Sequence, residues 1–558
     1  MLRRVLLFAL LAVTTACMAG KRVAAEWQPA RVAAQDSVGE SLPEAIRTAA
    51  LSPVDSAEAL PVPQWKLGKA TIRGRLYGYR PEMKIRVEVF PNFALDIRQN
   101  DNIKAEVAAD GSFCVEVPTY ATCQTVMMRI DDSLYYVVLR GGGTCEVYLD
   151  LAEEHRRPAT KGNPKHTNGL PFYFGRLYFA GDMADVNNRL SLDEARKLME
   201  HHQFIWQKAN QPAENARYTP EEFCEKLMQW HADNLKAIDS ICPSERTRTV
   251  MHIIQKYQTA YSLMYRDMFV KADPDGRPLF GNCIYDACRK LEINDMMMAY
   301  CGYFGTVGNC FQFLPYSDSI YIDSIRGIAR SMQESPNDSV DQAIKRFDRE
   351  YRARRLGWPD GPLFDLMRAE HFSTLLDKET PLSDAQLRRL DKEPNTVVRE
   401  YFHTRNEELK AMLAARKDNG TYTIHAAPAG SGDEAMAAIA KEYAGKAVLV
   451  DFWGTWCGPC RAAIKRFEEG KAGLMKQGVV FVYITDGKSP EDEWGNMASG
   501  IPGHHYRLTG AQTADLYKKY KLSGWPSYLI LDKKGECVYS RTGFRENEIT
   551  NKLNSIIQ

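Results

Sequence analysis

Two cysteines near the end of the chain have a spacing that suits thiol chemistry. Cys457 and Cys460 stand in the stretch VLVDFWGTWCGPCRAA, after an apolar run, Val448 to Phe452, that is typical of a buried strand. Because a proline such as Pro459 is tolerated only in the first turn of a helix, we expect a helix to begin at Cys457. A thiol there meets unpaired backbone N–H groups and the positive end of the helix dipole, which lower its pKa toward about 7 or below.

The second cysteine would complete a dithiol/disulfide cycle. Cys460 lies about one helical turn after Cys457, within reach of a disulfide bond. We expect Cys457 to attack a target disulfide and Cys460 to displace the target from the mixed disulfide. Asp451, on the preceding strand, is placed to accept the proton of Cys460 when that thiol attacks. A hydrogen-bonded carboxylate at the strand end, with no chemical role, is the alternative for Asp451.

Zinc is the competing interpretation of any two cysteines at this spacing. A tetrahedral zinc site needs two further ligands, usually a second cysteine pair or a pair of histidines at short spacing. The later candidates are Cys537 on a predicted strand and His504 and His505 in a predicted loop. None of them has the required spacing, so we predict neither a metal nor another cofactor.

The composition is that of a folded protein with a balanced surface. A chain of 558 residues is too long for a single hydrophobic core and indicates three or four domains. Its 72 basic and 71 acidic side chains cancel. A protein that binds nucleic acid normally has a basic excess, so we predict no nucleic-acid partner.

The first residues have the layout of a secretory signal peptide. Arg3 and Arg4 precede an apolar run from Val5 to Val13, and small residues follow it. The run is too short to span a bilayer as a helix, which takes about 20 residues. We therefore expect residues 1–19 to be a signal peptide and the protein to be exported to the periplasm or the cell envelope.

The cleavage site has two possible positions. The residues before Cys17 resemble a bacterial lipobox, in which the cysteine is lipidated and anchors the protein to the membrane. Thr14 stands where that box prefers Leu or Val. A plain cut near Ala19 or Ala25, without a lipid, is the alternative.

Three further regions follow the signal peptide. Residues 20–66 are rich in Ala, Pro, Glu and Ser and are predicted to be a tether. Residues 67–152 contain short alternating runs with an Asp110-Gly111 turn, which predicts a β-sandwich. Residues 165–418 have a helical period, with apolar faces such as Phe223, Leu227, Trp230, Leu235 and Ile238, and Val398, Phe402, Leu409 and Leu413, and predict an α-helical domain.

The end of the chain alternates between the two kinds of element. Residues 421–558 predict an α/β domain with a mixed central sheet. The predicted strands are TYTIHAA, AVLVDFWG, VVFVYITD, PSYLILD and CVYSRTG. The predicted helices cover 458–476, 490–499, 511–520 and 545–557.

The chain has 13 cysteines, and four of them cluster outside this domain. The spacing of Cys283, Cys288, Cys301 and Cys310 does not fit the zinc templates. Buried apolar cysteines on helices are one interpretation, and a local disulfide is the other.

The motif WCGPC, preceded by VDFWGT, resembles the thioredoxin superfamily and, more narrowly, its TlpA/ResA-like exported disulfide reductases. The resemblance covers about residues 421–558, and the accessory regions before them are only diffusely similar to those of larger TlpA-like proteins. It implies a thioredoxin fold for the C-terminal α/β domain. Together with the patterns described above, this predicts a multidomain protein with an N-terminal β-sandwich, an all-α middle domain and a C-terminal α/β thioredoxin fold.

The segment GWPSYLILDKKGECV is similar to the one that carries the cis-proline of the family. The resemblance implies that Pro526 is cis and that the backbone of Trp525 pairs with an extended target strand. The implied groove is formed by Trp456, Gly458, Pro459, Trp525 and Pro526. The family usually has a small or β-branched residue where Trp525 stands. A bulky indole there implies either a narrower choice of targets or a shielded thiolate.

The two residues between the cysteines indicate whether the protein reduces or oxidises its targets. Gly458-Pro459 resembles thioredoxin, with a potential near about −270 mV, rather than the exported oxidants near about −120 mV. This favours a reductase of protein disulfides, for which the resemblance implies a membrane thiol relay as electron donor. Two alternatives remain: an isomerase or oxidase that acts as a dimer, and a partner-binding envelope protein with an accessory thioredoxin domain.

Overall fold

The computed structural model describes residues 41–558, apart from 52, 55, 92, 96–102, 131–132, 152–176, 192–217, 266–281, 303, 334, 336 and 418–419. The predicted signal peptide and Cys17 lie outside the described residues. The described chain divides into two compact units. The C-terminal unit consists of Thr374–Glu393 and Phe402–Gln558, and the N-terminal unit consists of the residues up to Ser373 together with Pro394–Tyr401. None of the helices in the described part of the chain is apolar over a stretch long enough to cross a bilayer.

The N-terminal unit contains two four-stranded sheets, with strand orders β4-β1-β7-β8 and β3-β2-β5-β6. Strands β1 and β7 are parallel, and the other neighbours are antiparallel. The strands are β1 Trp65–Tyr77, β2 Val87–Phe90, β3 Ile103–Ala105, β4 Ser112–Ala121, β5 Cys123–Ile130, β6 Ser133–Arg140, β7 Thr144–Asp150 and β8 Leu177–Gly181.

The turn predicted at Asp110-Gly111 lies directly before β4. Gly111 has a φ of 81°, in the left-handed region that favours glycine. A Cβ atom at this position would lie 2.4 Å from the carbonyl oxygen of Leu76. Both the dihedral angle and the space therefore require glycine here.

The described part of the predicted tether contains ordered structure. Helix α1, Glu44–Leu51, buries Ala50, and Leu42 before it is buried as well. Arg47 of this helix donates a hydrogen bond to Asp150 at the end of β7 over 3.2 Å. The described part of this segment thus contains a short amphipathic helix that its composition did not indicate.

Strand β8 extends the β-structure beyond the predicted boundary at residue 152. It pairs with β7, and helix α2, Ala184–Leu190, follows it. The Asn188 side chain binds both the backbone N–H and the carbonyl of Phe179 in β8, over 2.9 and 2.8 Å. Asn187 does the same for Val138 in β6, over 2.9 and 3.0 Å. Two asparagine side chains therefore satisfy strand backbone groups, which hydrophobic periodicity cannot predict.

The remaining helices of the described N-terminal unit confirm the helical period predicted there. Phe223, Leu227 and Ile238 are buried as predicted, whereas Trp230 and Leu235 are half-buried. The hydroxyl of Thr125 in β5 donates to the carbonyl of Tyr300 over 2.9 Å, so the sheets and helices share one unit instead of forming the two predicted domains. The helices are α3 Pro220–Ile241, α4 Glu245–Tyr265, α5 Cys283–Lys290, α6 Phe304–Phe313, α7 Ser319–Ser331, α8 Asn337–Leu356, α9 Pro362–Asp377, α10 Asp384–Leu390 and α11 Thr396–Lys417. Of these, α9 and α11 are shared between the two units, and α10 lies entirely in the C-terminal unit.

The C-terminal unit is built on a six-stranded sheet with the order β14-β13-β10-β11-β12-β9. Strands β9 to β12 are parallel, and β13 and β14 are antiparallel to their neighbours. This is the predicted α/β domain with a mixed sheet. Its strands are β9 Tyr422–His425, β10 Val448–Phe452, β11 Val480–Thr485, β12 Gly503–Arg507, β13 Ser527–Leu531 and β14 Cys537–Thr542.

The helices of this unit agree with the predicted ones, with two differences. The predicted helix over 458–476 is two helices separated at Phe467, and helix α12 was not predicted. Phe467 is buried against Phe481 and Phe544. The helices are α12 Gly432–Glu442, α13 Gly458–Arg466, α14 Glu468–Lys476, α15 Glu491–Ala498, α16 Gly510–Lys519 and α17 Glu546–Ile557.

Strand β12 was predicted as a loop. It carries His504 and His505, and its sequence GHHYR lacks the β-branched residues that mark the other strands. His505 is buried, and its ring is stacked on Tyr483 with 5.0 Å between centroids. Burial lowers the pKa of His505 to about 4. A neutral, stacked histidine therefore fills a place in the sheet that an apolar residue would normally take.

Candidate active site

The two cysteines of the motif lie at the start of helix α13, where the sequence predicts them. Cys457 is the N-cap residue, and its Sγ accepts a hydrogen bond from the backbone N–H of Cys460 over 3.2 Å. The two sulfurs are joined in a disulfide. Cys457 is 3% exposed and Cys460 is fully buried, so Cys457 is the more accessible of two enclosed sulfurs.

Strand β10 positions this helix. Both faces of the strand are buried: Val448, Val450 and Phe452 pack on one side. Leu449 and Trp453 pack on the other side, in a cluster of buried residues that includes both cysteines. Because side chains alternate along a strand, Asp451 is on the same side as Leu449 and Trp453. The carboxyl group thus faces the layer that holds the disulfide.

Asp451 is enclosed by aromatic side chains. Its partners across the sheet are Tyr483 in β11 and Tyr528 in β13, and both are buried. Its Oδ1 atom is buried without a hydrogen-bond partner among the described residues. Burial raises the pKa of Asp451 well above its ordinary value of 3.8, and the charge of Lys471 only partly opposes this shift. The alternative of a fully hydrogen-bonded strand-end carboxylate would require a partner at both oxygens, and Oδ1 has none among the described residues.

Lys471 supplies a buried positive charge that sequence reasoning missed. It lies on α14 and is 4% exposed. Its ammonium donates to the carbonyl of Pro502 and sits over the ring of Tyr483, 4.7 Å from the centroid. Burial lowers the pKa of Lys471 to about 8, and the nearby Asp451 charge opposes the shift. No pattern in the sequence distinguishes this lysine from Lys476, the exposed lysine at the end of the same helix.

Aromatic side chains surround the disulfide. Trp456 and Trp525 meet edge to face with 5.6 Å between ring centroids, and both pack against the cluster that holds the cysteines. Tyr517 stacks on Trp525 at 5.7 Å. The Trp525–Pro526 peptide bond is cis, as the resemblance implied. The structure therefore brings Trp456, Trp525 and the cysteines together, and places Gly458 and Pro459 in the first turn of α13.

The loop before the motif explains the position of Trp456. A Cβ atom on Gly454 would lie 2.8 Å from the indole nitrogen of Trp456, so only glycine leaves room for the ring. The next residue, Thr455, donates its backbone N–H to the hydroxyl of Ser489 over 3.2 Å. These contacts fix the loop between β10 and the first cysteine.

Arg461, the residue after the motif, holds helix α13 through its contacts with Asp377. Arg461 forms two hydrogen bonds to the carboxylate of Asp377, each 2.9 Å long, and a third to the carbonyl of the same residue. Asp377 ends α9 and belongs to the C-terminal unit, although it lies outside the predicted 421–558. Arg416 and Glu379 form a second ion pair in this unit. The folded unit therefore includes segments that the sequence assigned to the helical domain.

We expect Arg461→Ala to destabilise the C-terminal unit. The ion pair is bidentate, and the two side chains are 29% and 20% exposed, so screening by solvent is partial. Loss of the arginine should lower the free energy of unfolding by about 1–3 kcal/mol, measured by urea denaturation followed by tryptophan fluorescence. Arg466→Ala on the same helix is the matched control, because its guanidinium is 65% exposed and 3.5 Å from Glu546. An equal loss in both variants would contradict an anchoring role for the pair.

The C-terminal part of the chain carries a thioredoxin-like domain: the thioredoxin-like family model matches residues 445–537. The chain is 28% identical over 116 residues to the thiol-disulfide oxidoreductase ResA of Geobacillus kaustophilus, covering 21% of this chain and 66% of that protein. It is 25% identical to the thiol:disulfide interchange protein HelX of Rhodobacter capsulatus, covering 28% of this chain and 86% of that protein. Among solved structures, a thiol:disulfide interchange protein of the thioredoxin family from Chlorobium tepidum aligns with 21% identity over 21% of this chain and 85% of that one, with a TM-score of 0.20.

Proposed function

We propose that this protein is an exported reductase of protein disulfides. The observation that carries the proposal is the Cys457–Cys460 disulfide at the start of α13, with the buried carboxyl group of Asp451 on the same side of the sheet. Two curated relatives, ResA and HelX, bear the names of thiol–disulfide enzymes and align with this region.

The reaction starts from the reduced pair. The Cys457 thiolate attacks one sulfur of the target disulfide, a mixed disulfide forms, and the first target sulfur leaves as a thiolate. Cys460 gives its proton to the Asp451 carboxylate and attacks the sulfur of Cys457. The Cys457–Cys460 disulfide forms, and the second target sulfur leaves as a thiolate that takes up a proton. The target gains two electrons, and the enzyme loses two.

The raised pKa of Asp451 suits the second step. A carboxylate with an ordinary pKa is too weak a base to take the proton of a thiol efficiently. Burial raises the pKa of Asp451 well above its ordinary value, and the charge of Lys471 opposes part of this shift. A carboxylate with a raised pKa is a stronger base and is therefore better suited to take the proton of Cys460.

The surroundings of the disulfide support a groove for an extended target segment. Trp456, Gly458, Pro459, Trp525 and Pro526 form its walls in this proposal. The backbone next to the proline pairs with the target strand, and the two indoles limit which targets enter. The Trp525 ring is held from behind by Tyr517 and Phe452, so the restriction is a fixed feature of the site.

The proposal places the reaction outside the cytoplasm. The charged, apolar and small residues at the start of the chain support a signal peptide over residues 1–19, and Cys17 is the candidate for a lipid anchor. A reductase in an oxidising compartment needs a supply of electrons, and a membrane thiol relay fulfils this role in the proposal. The mature protein would act at the cell envelope.

The reduction potential tests the direction of the reaction. We expect the purified chain, equilibrated in glutathione or dithiothreitol redox buffers, to show a Cys457–Cys460 potential near about −270 mV, as in thioredoxin. It should also catalyse the reduction of insulin by dithiothreitol. A potential near about −120 mV, without insulin reduction, would instead support the oxidase or isomerase alternative.

A further inference from the structure

A second pair of cysteines lies in the N-terminal unit. Cys224 is the fifth residue of α3, and Cys283 is the first residue of α5. Their Sγ atoms are 2.9 Å apart, although the residues are 59 positions apart in the chain. Helices α3 and α5 pack against each other, so the pair links two helices that are distant in sequence.

The distance between these sulfurs is shorter than a non-bonded contact. Non-bonded atoms of carbon size come into contact at about 3.5–4.0 Å, and sulfur is no smaller. The covalent S–S bond is about 2.05 Å long. A separation of 2.9 Å lies between the two values, so a small side-chain adjustment would close the bond.

The surroundings of the two sulfurs differ in a way that suits thiol exchange. Cys224 is 5% exposed, whereas Cys283 is half-buried. Cys283 also begins a helix of eight residues, whose first turn has unpaired backbone N–H groups that stabilise a negative charge. Cys283 is therefore the sulfur that an external reagent reaches first, and Cys224 is the one behind it.

We propose that Cys224 and Cys283 are a second dithiol/disulfide couple, whose oxidised form ties α3 to α5. The oxidant is a disulfide, either of a small thiol compound or of a protein. The Cys283 thiolate attacks it and releases one thiolate. The Cys224 thiolate then attacks the Cys283 sulfur and releases the second. Two electrons pass to the oxidant, and the two protons of the cysteines go to the released thiolates. This inference does not depend on the proposed function.

The closed bond would stabilise the N-terminal unit. Cross-linking residues 59 positions apart removes much of the freedom of the unfolded chain. For a unit of this size, the oxidised form should melt roughly 5–15 °C above the reduced form.

The test uses the full chain with Cys457→Ser and Cys460→Ser, so that the motif cannot exchange thiols. The protein is incubated with oxidised glutathione, the remaining thiols are alkylated, and the digest is mapped by mass spectrometry without reduction. We expect a peptide that joins Cys224 to Cys283, and a melting temperature that falls in dithiothreitol.

Single substitutions separate exchange from chance pairing. In this background, Cys224→Ser should leave Cys283 carrying glutathione and should abolish the effect of dithiothreitol on the melting temperature. Cys288→Ala, on the same helix, is the matched control and should retain the cross-link. Complete alkylation of both Cys224 and Cys283 after treatment with oxidised glutathione, or a cross-link from Cys283 to another cysteine, would overturn the proposal.

Discussion

Replacement of Cys460 by serine should convert the protein into a trap for its targets. Cys457 retains its position at the start of α13 and can still attack, but no thiol follows to release the mixed disulfide. Covalent complexes should therefore accumulate in cells that express Cys460→Ser, whereas turnover in the insulin assay should fall to background. The measurement is non-reducing electrophoresis followed by mass spectrometry of the adducts, which also identifies the target proteins.

The complementary substitution provides the control. Cys457→Ser removes the more accessible sulfur and leaves Cys460 fully buried. This variant should form no adducts and should also lack insulin reduction. Equal trapping by the two variants would show that the roles of the cysteines are not divided as proposed.

Asp451→Asn should slow the reaction and stabilise the fold at the same time. The amide keeps the shape of the side chain but cannot accept a proton, so the displacement step should be about 100-fold slower or more. Single-turnover reduction of a fluorescent peptide disulfide measures this step. The rate at which the mixed disulfide forms should be affected less, because the attack by Cys457 does not use the carboxylate.

The effect of this substitution on stability should depend on pH, and its sign follows from burial. The pKa of Asp451 is raised in the folded protein, so the stability that its protonated form provides is complete below its ordinary value of 3.8 and is lost as the pH rises through the folded pKa. The free energy of unfolding of the wild type should therefore fall relative to that of Asp451→Asn as the pH increases. The slope of this difference is at most about 1.4 kcal/mol per pH unit.

A second carboxylate supplies the matched control for the pH experiment. Asp433, at the start of α12, is 58% exposed and pairs with Lys519 over 3.1 Å. Asp433→Asn should change the stability by less than about 1 kcal/mol at every pH. If Asp451→Asn and the wild type showed parallel stability curves and equal rates of displacement, the carboxylate would have no part in proton transfer.

Local features of the sequence were sufficient to predict the centre of the site. The mainly apolar strand and the proline in the first helical turn both lie within residues 448–463, the segment that contains Cys457 and Cys460. These two local signals therefore predict where the cysteines lie. The five strands predicted for the C-terminal unit are also confirmed, and they too were predicted from local sequence. Each has enough β-branched or aromatic residues to show its character without its neighbours.

Contacts between distant segments could not be predicted in this way. The ion pair of Arg461 with Asp377 joins residues 84 positions apart, and the charge of Lys471 acquires its role only when α14 packs over Tyr483. The two histidines and the glycine of β12 do not indicate a strand from the sequence alone. The strand is defined by its pairing with β11 and β9. Tertiary packing decided each of these cases.

The pH dependence of alkylation at Cys457 tests the account most directly. Reduced Cys460→Ser is treated with iodoacetamide from pH 4 to pH 10, and the modification of Cys457 is followed by mass spectrometry. We expect the rate of alkylation to reach half its maximum at about pH 7 or below, because the start of α13 stabilises the thiolate of Cys457. A half-maximum near about pH 8.5, the value of an ordinary cysteine, would contradict it.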